Sequence, residues 1–418
     1  MEGAIQYPQL RKLRGGDVWY RIEGPARWTE YQRIGSRWVR HDVVAVQHPE
    51  RMTLHDMRHD AERYAEVDRA EWAEAVGEEL PGAVVPAEAD LAGRTTFGVP
   101  ARTAHLIEAD SDDAVRAALA WRPAGMPLLV LGGGSNMLVH ADWPGLVLAV
   151  TVPGVAVVAD DGRYVEVVVG AGEPWHDFVM HTVEAGWGGL ENLALIPGRV
   201  GAAPMQNIGA YGVEIKDRCL WVEAVAIADG GLRRFSAAEC AFGYRESVFK
   251  GAERDRWVIT RVAFRLDRQA PLRTDYGAIQ SELPEGPWTA RDVAEAVIRI
   301  RQSKLPDPAV LGNAGSFFKN PVLSAEAYAR FAQEHPDAPH YPQPDGTVKL
   351  AAGWLIDRAG WKGHDRGTHG VHAQQALVLV NKGGATAGQI WQLAQDIRRD
   401  VLSQYQISLE PEVNQIGL

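Results

Sequence analysis

Pro127-Leu128-Leu129-Val130-Leu131-Gly132-Gly133-Gly134-Ser135-Asn136 is an apolar run that passes directly into three glycines, a serine and an amide. The apolar part reads as a short buried strand. Consecutive glycines let backbone N–H groups converge on one point, and Ser135 and Asn136 add side-chain donors. The result is a nest suited to a phosphate. No Gly-Lys-Thr/Ser follows, so this is not a Walker loop. No Gly-x-Gly-x-x-Gly opens a helix, so it is not a dinucleotide fingerprint either.

Around this stretch the chain alternates strand and helix patterns from about Leu91 onward. His105–Glu108 reads as a strand, and Ser111 caps a helix running to Trp121, with Asp112 and Asp113 in the turn where the helix dipole favours acids. Strands are expected at Leu146–Val152, Tyr164–Val169, Val222–Ile227 and Trp257–Leu266, and helices at Glu173–Ala185, Arg291–Ser303 and Ala385–Tyr405, before a short tail, Ile407–Gly417. Upstream the texture differs. Val18–Ile22, Tyr31–Ile34, Trp38–Arg40 and Val43–Val46 alternate aromatic or β-branched residues with charges, and Gly24-Pro25 and Gly35-Ser36 supply turns. Thr53 to Glu79 reads as helix with Met57, Tyr64, Val67, Trp72 and Val76 inside, and Leu80-Pro81-Gly82 opens an Ala/Pro-rich linker to Leu91.

The chain has 418 residues, 46% of them hydrophobic and 23% charged, which suits two to four globular domains. Its net charge of −11 disfavours a nucleic-acid partner, which requires basic surface. Cys219 and Cys240 have no metal-ligand spacing around them and read as reduced thiols. His55 and His59 sit four apart without a third ligand nearby, so they read as a solvated helix face and no metal is expected. Met1–Tyr7 lacks the apolar segment of a signal peptide, and no apolar run is long enough to cross a bilayer. A cytoplasmic protein without membrane contact is expected.

Two further stretches carry chemistry. Leu195 to Gly212 is built of small residues and contains Pro197, Gly198, Gly201, Ala202, Gly209, Ala210 and Tyr211. Such a backbone can lie flat against a large planar ligand. N–H groups near Gly198 and Gly201 can meet phosphates, and Gln206 and Asn207 can bond ring edges. Arg199, inside this run, can bind pyrophosphate or face solvent. Gly312-Asn313-Ala314-Gly315-Ser316-Phe317-Phe318-Lys319-Asn320-Pro321 sets one serine among glycines, two amides and a lysine, the composition of a rigid polar site.

These stretches occur in order with Gly243-Tyr244-Arg245-Glu246-Ser247-Val248-Phe249-Lys250, Thr274-Asp275-Tyr276-Gly277, Lys304–Pro308, Ala351–Asp357 and Leu409–Val413. In this combination the chain, over roughly residues 91 to 418, resembles the UDP-N-acetylenolpyruvoylglucosamine reductases, in the subclass with a substrate-closing tyrosine loop. The resemblance implies an α+β fold: a two-lobed FAD-binding module of the vanillyl-alcohol-oxidase/PCMH type, a C-terminal α+β substrate-binding domain and a small N-terminal α+β appendage. Its implied boundaries are an appendage of unknown role at 1–87, lobe 1 at 88–153 joined by a C-terminal strand at 413–418, lobe 2 at 154–304 and the substrate domain at 305–412. It implies non-covalent FAD, NADPH as co-substrate and UDP-N-acetylglucosamine enolpyruvate as substrate, in the making of peptidoglycan precursors. FAD would meet Gly132, Gly133, Gly134, Ser135 and Asn136 on one side. On the other it would meet Pro197, Gly198, Gly201, Ala202, Gln206, Asn207, Gly209, Ala210 and Tyr211.

For the reaction, Ser316 matches the proton donor, Arg245 the arginine that polarises the enolpyruvyl carboxylate, and Glu412 the catalytic glutamate. Glu410, two residues away, would share the face of Glu412 in an extended strand. Tyr276, Lys304 and Asn320 match positions that hold the UDP-sugar. Two features depart from the pattern: Arg94 stands where asparagine is expected, and Phe331–Thr347 reads as a variable surface loop. A flavin oxidase of the same architecture and a non-catalytic nucleotide-sugar binder remain as alternatives, and a protein partner for the appendage is left open.

Overall fold

The computed structural model describes residues 8–24, 26–34, 37–45, 48–76 and 87–418. The readings placed on Met1–Tyr7, on Pro25, on Gly35-Ser36 and on the linker through Pro86 lie outside the described residues.

The strand that feeds the glycine loop is Leu128–Leu131. It lies at one end of a four-stranded sheet, parallel to Trp143–Val150, which is in turn parallel to Arg102–Ala109. Helix Asp112–Trp121 makes the crossover, and the Ser111 hydroxyl accepts the Ala114 N–H at 3.1 Å. The remaining strand, Ala87–Asp90, pairs antiparallel with Arg102–Ala109. It corrects the linker expected to reach Leu91. Alanines alternating with acids suit an edge strand with one solvated side.

A second sheet of five antiparallel strands follows, with Val155–Asp160 and Leu232–Ser236 at its edges and the long Trp257–Asp267 in its centre. Helices Trp175–Glu184 and Ala290–Lys304 cover it, around a core that includes Phe178, Phe264, Val293 and Val297. Cys219 and Cys240 belong to this core as free thiols, and burial raises both above the ordinary thiol range, Cys240 to about 12.

In the third unit the serine strand Gly312–Ser316 pairs with Val378–Asn381, which pairs on its other side with His369–Val371, under helix Ala387–Tyr405. Phe331 does not lie in a surface loop. It is buried in helix Ala325–Glu334 against Trp354 and Tyr405, and a strand, His340–Pro342, follows. The prolines and histidines that suggested a loop sit in the turn after the helix, in that strand and in the turn that follows it. From there the chain crosses back: Asn414–Ile416 pairs in parallel with Met137–Val139, immediately after the glycine loop.

The N-terminal unit is a five-stranded antiparallel sheet in which Arg37–Val44 and Tyr64–Glu66 are the edges. The two short strands expected at Trp38–Arg40 and Val43–Val46 are one strand as far as Val44. The single helix expected from Thr53 to Glu79 is His48–His59, then strand Tyr64–Glu66, then helix Arg69–Val76. Two aspartates break it: the Asp60 carboxylate accepts the Arg63 N–H, and that of Asp68 accepts the Glu71 N–H. A side chain that captures a backbone donor at these points competes with continued helix. Met57 and Tyr64 therefore pack on one face of the sheet with Tyr20, Ile22 and Trp28, while Trp72 packs on the other with Leu10, Trp19 and Tyr31. Trp121, at the end of the crossover helix, touches both the core between the four- and five-stranded sheets that follow and the first of these faces.

Candidate active site

The two glycine runs form facing walls. A methyl group on Gly133 would lie 2.7 Å from the Gly198 Cα, and one on Gly201 would lie 2.5 Å from the Ala171 Cβ. Distances this short exclude any side chain, so glycine is required for the walls to meet. Ser135 ties the walls together by donating to the Pro197 carbonyl at 3.2 Å. Between the two sheets runs a cavity of about 640 Å³, lined by Val130, Gly132, Gly201, Ala202, Lys250 and Asn414 among others. That volume falls within the range that takes a cofactor. Beside the first glycine loop, Thr96 donates its N–H to the Gly134 carbonyl, while its hydroxyl is buried with no partner among the described residues. The flat walls, the apolar lining and the free hydroxyl fit FAD. Of the residues expected to meet FAD, Gly132, Gly201 and Ala202 line this cavity.

Not every side chain in the runs faces the cavity. Asn207 is fully buried, and its amide is committed to the protein: it donates to Glu214 and to the Gly243 carbonyl, and it accepts the Lys216 N–H. The expectation that its side chain bonds a ring edge is corrected on this geometry; it braces the loop in a left-handed turn with φ 46°. Arg199 donates to the Gly172 carbonyl. Arg94 turns outward to Glu108 at 2.7 Å.

Next in sequence or by hydrogen bond to the cavity-lining residues Met205, Lys250 and Asn414, three distant segments converge. Gln206 donates to Glu412 Oε1 at 3.0 Å, and Arg245 Nε lies 3.1 Å from the same oxygen. Asn136 donates to the Gln206 side-chain oxygen and to the Glu412 carbonyl. Glu412 in turn donates its backbone N–H to the Phe317 carbonyl at 2.8 Å, which fixes the serine strand beside it. Ser316 itself is half-buried, follows Gly315 and has no hydroxyl hydrogen bond to another described residue.

Burial raises the Glu412 carboxyl above the ordinary carboxylate range, against the opposing pull of Arg245, Lys250 and Lys319. Because Oε1 already accepts from two donors, a proton on this group resides on Oε2. Glu410 differs: its side chain is 70% exposed and pairs with Lys319, whereas that of Glu412 is 13% exposed. Arg245 is a non-glycine residue with φ 56°, held there by its own guanidinium bond to the Gly209 carbonyl and by Lys250, which donates to the Arg245 carbonyl at 3.2 Å. A left-handed conformation costs a side-chain-bearing residue roughly 1–3 kcal/mol and persists where surrounding contacts impose it.

Over this centre sits a cluster of rings. Tyr276 stands edge-on to Tyr211 at 6.3 Å and stacks on Tyr341 at 6.3 Å. Lys349 lies 4.3 Å above the Tyr244 ring, and Asn320 is hydrogen-bonded beside the Tyr244 hydroxyl while accepting the Ala352 N–H. Tyr244, Tyr341, Lys349 and Lys250 were given no role in the sequence reading. Tyr244 and Lys250 flank Arg245 in its own motif, but Tyr341 lies in the stretch read as a loop. Lys304 is apart from the cluster: it ends helix Ala290–Lys304, exposed, with no hydrogen bond or ion pair to another described residue.

A model of the UDP-N-acetylenolpyruvoylglucosamine reductase C-terminal domain matches residues 307–416, and one of an FAD binding domain matches residues 103–236. The chain is 54% identical over 323 residues to the UDP-N-acetylenolpyruvoylglucosamine reductase of Pseudomonas fluorescens Pf0-1, covering 76% of this chain and 95% of that one. It belongs to the UDP-N-acetylenolpyruvoylglucosamine reductase family. The reductase of Azoarcus sp. BH72 is 52% identical, over 79% of this chain and 98% of its own. Among solved structures, the reductase of Thermus caldophilus superposes with a TM-score of 0.55 at 25% identity, covering 80% of this chain and all of that one. As a reductase of this family the protein is an FAD-dependent oxidoreductase, and the oxidase and non-catalytic alternatives are set aside. No helix among the described residues is long and apolar enough to cross a membrane.

Proposed function

We propose that this reductase converts UDP-N-acetylglucosamine enolpyruvate to UDP-N-acetylmuramate at the junction of Arg245, Glu412 and the serine strand. FAD would be held between the two glycine walls and would supply the hydride chemistry there, linking NADPH as reductant to C3 of the enolpyruvyl ether. The chain's residues then manage charge and protons. Arg245 holds the substrate carboxylate, where a planar guanidinium gives paired hydrogen bonds. Negative charge develops at C2 and on that carboxylate, and Glu412, whose carboxyl burial raises above the ordinary range, offers a proton from Oε2 to it. Ser316 gives its hydroxyl proton to C2 and regains one from solvent. The balance is one hydride from NADPH and one proton per double bond reduced.

Tyr276 and Asn320 hold the UDP-sugar, with Tyr276 closing as the lid characteristic of one subclass. Lys304 meets the diphosphate in the closed form. Residues 88–153 with 413–418 act as the first flavin lobe, 154–304 as the second and 305–412 as the substrate domain, while 1–87 stand outside the catalytic unit.

The observation that carries this reading is the pair of contacts Gln206 and Arg245 make to one oxygen of a buried carboxyl tied by its backbone to the serine strand. Anaerobic titration tests it. Protein reduced with one equivalent of NADPH should regain its oxidised flavin spectrum on addition of the enolpyruvyl substrate. A spectrum that stays bleached would refute it.

A further inference from the structure

Lys250 is a cation whose place in the site is not explained by the roles above. Its ammonium has three donors and spends one on the Arg245 carbonyl. It makes no ion pair with another described residue, whereas Lys319 beside it is matched by Glu246 and Glu410, and Arg245 by Glu412. Burial lowers its pKa, as expected of an ammonium removed from water without a bonded carboxylate. Lys250 also lines the glycine-walled cavity, together with Phe249 and Met205. It therefore joins the cofactor space to the residue that holds the substrate carboxylate.

We infer that Lys250 faces the isoalloxazine end of the bound flavin and stabilises the negative charge the ring system carries after two-electron reduction. This rests on the function proposed above. Hydride transfer requires the ring beside Arg245, and Lys250 is bonded to Arg245, while the phosphates belong to the N–H groups of the two glycine walls. Placing a cation at the electron-accepting ring is how a protein tunes a flavin's electronics. Lys250 thus favours the reduced cofactor that the substrate must meet.

The test is the midpoint potential of the bound flavin in the full-length holoprotein, measured by spectroelectrochemistry without substrate. Lys250→Met should disfavour the reduced form about tenfold, a fall of roughly 30 mV for a two-electron couple. Lys250→Arg, which keeps the charge, should recover most of that shift. An unchanged potential in Lys250→Met would overturn the inference. Equal weakening of oxidised and reduced FAD would also overturn it, because that is the behaviour of a phosphate ligand. If Lys250→Met releases its flavin in both states while Lys250→Arg keeps it at the native potential, the residue is likewise an anchor, and the inference fails. None of these outcomes touches the wild-type titration, so the proposed function and this inference can fail separately.

Discussion

The flavin cleft and the N-terminal sheet both pack tightly, by opposite means. In the cleft, backbone meets backbone, and Gly133 approaches Gly198 so closely that even a methyl group is excluded. In the sheet, large rings meet: Trp72 stands perpendicular to Tyr31 at 5.2 Å and edge-on to Trp19 at 6.0 Å, and it is fully buried. The first arrangement leaves flat walls, a 640 Å³ space and the Thr96 hydroxyl without a partner among the described residues. The second fills both faces of a sheet with side chains. Open space is found where side chains withdraw, and the N-terminal sheet is filled by its own side chains.

Substitutions should separate the two regions. The largest effect on flavin binding is expected from Gly133→Val, which places a branched side chain against the opposing wall. An overpacking cost of about 1–3 kcal/mol converts to a roughly 5–150-fold rise in the dissociation constant for FAD, read by flavin fluorescence. Native affinity in this variant would mean that the walls are not the cofactor's seat.

A smaller effect should come from pH. With Glu412 held protonated above the ordinary carboxylate range, reoxidation of the reduced enzyme by substrate should be fast at low pH. It should slow as pH rises through the raised pKa, when the proton on Oε2 is lost. Glu412→Gln should lower the rate and flatten this limb, measured by stopped-flow absorbance over a pH series. A limb of the same shape in Glu412→Gln would assign the titration to another group.

The smallest effect on flavin chemistry should follow Trp72→Ala. It removes a ring from the N-terminal core at a cost of about 3–5 kcal/mol. Limited proteolysis should then cut the N-terminal unit, while the FAD dissociation constant stays within about twofold. A large loss of FAD would show that the sheet supports the cleft through Trp121, which touches both.

What the sequence made legible follows the same divide. Glycine walls are readable because only glycine permits such close approach, and the serine stretch is readable because its polar composition serves no packing period. The capped helix at Ser111 and the strand entering Gly132 follow from local rules. Other features depend on contacts that no local pattern carries. Asp60 and Asp68 divide the helix read from Thr53 because each captures a backbone donor. Tyr341 lies among prolines and histidines, yet it stacks on Tyr276 from a strand. Asn207 looks like a ligand-binding amide until Glu214, Gly243 and Lys216 are found around it. The raised pKa of Glu412 comes from burial at a point where Gln206 and Asn136, from two other segments, close around it.

The central claim is that Ser316 supplies the proton to C2 after hydride transfer, and separate half-reactions test it most directly. In Ser316→Ala, reduction of the flavin by NADPH should proceed at close to the native rate, while reoxidation by the enolpyruvyl substrate slows by roughly 10²–10⁴-fold, as expected for loss of a general acid. Native reoxidation in that variant, or an equal slowing of both half-reactions, would contradict it.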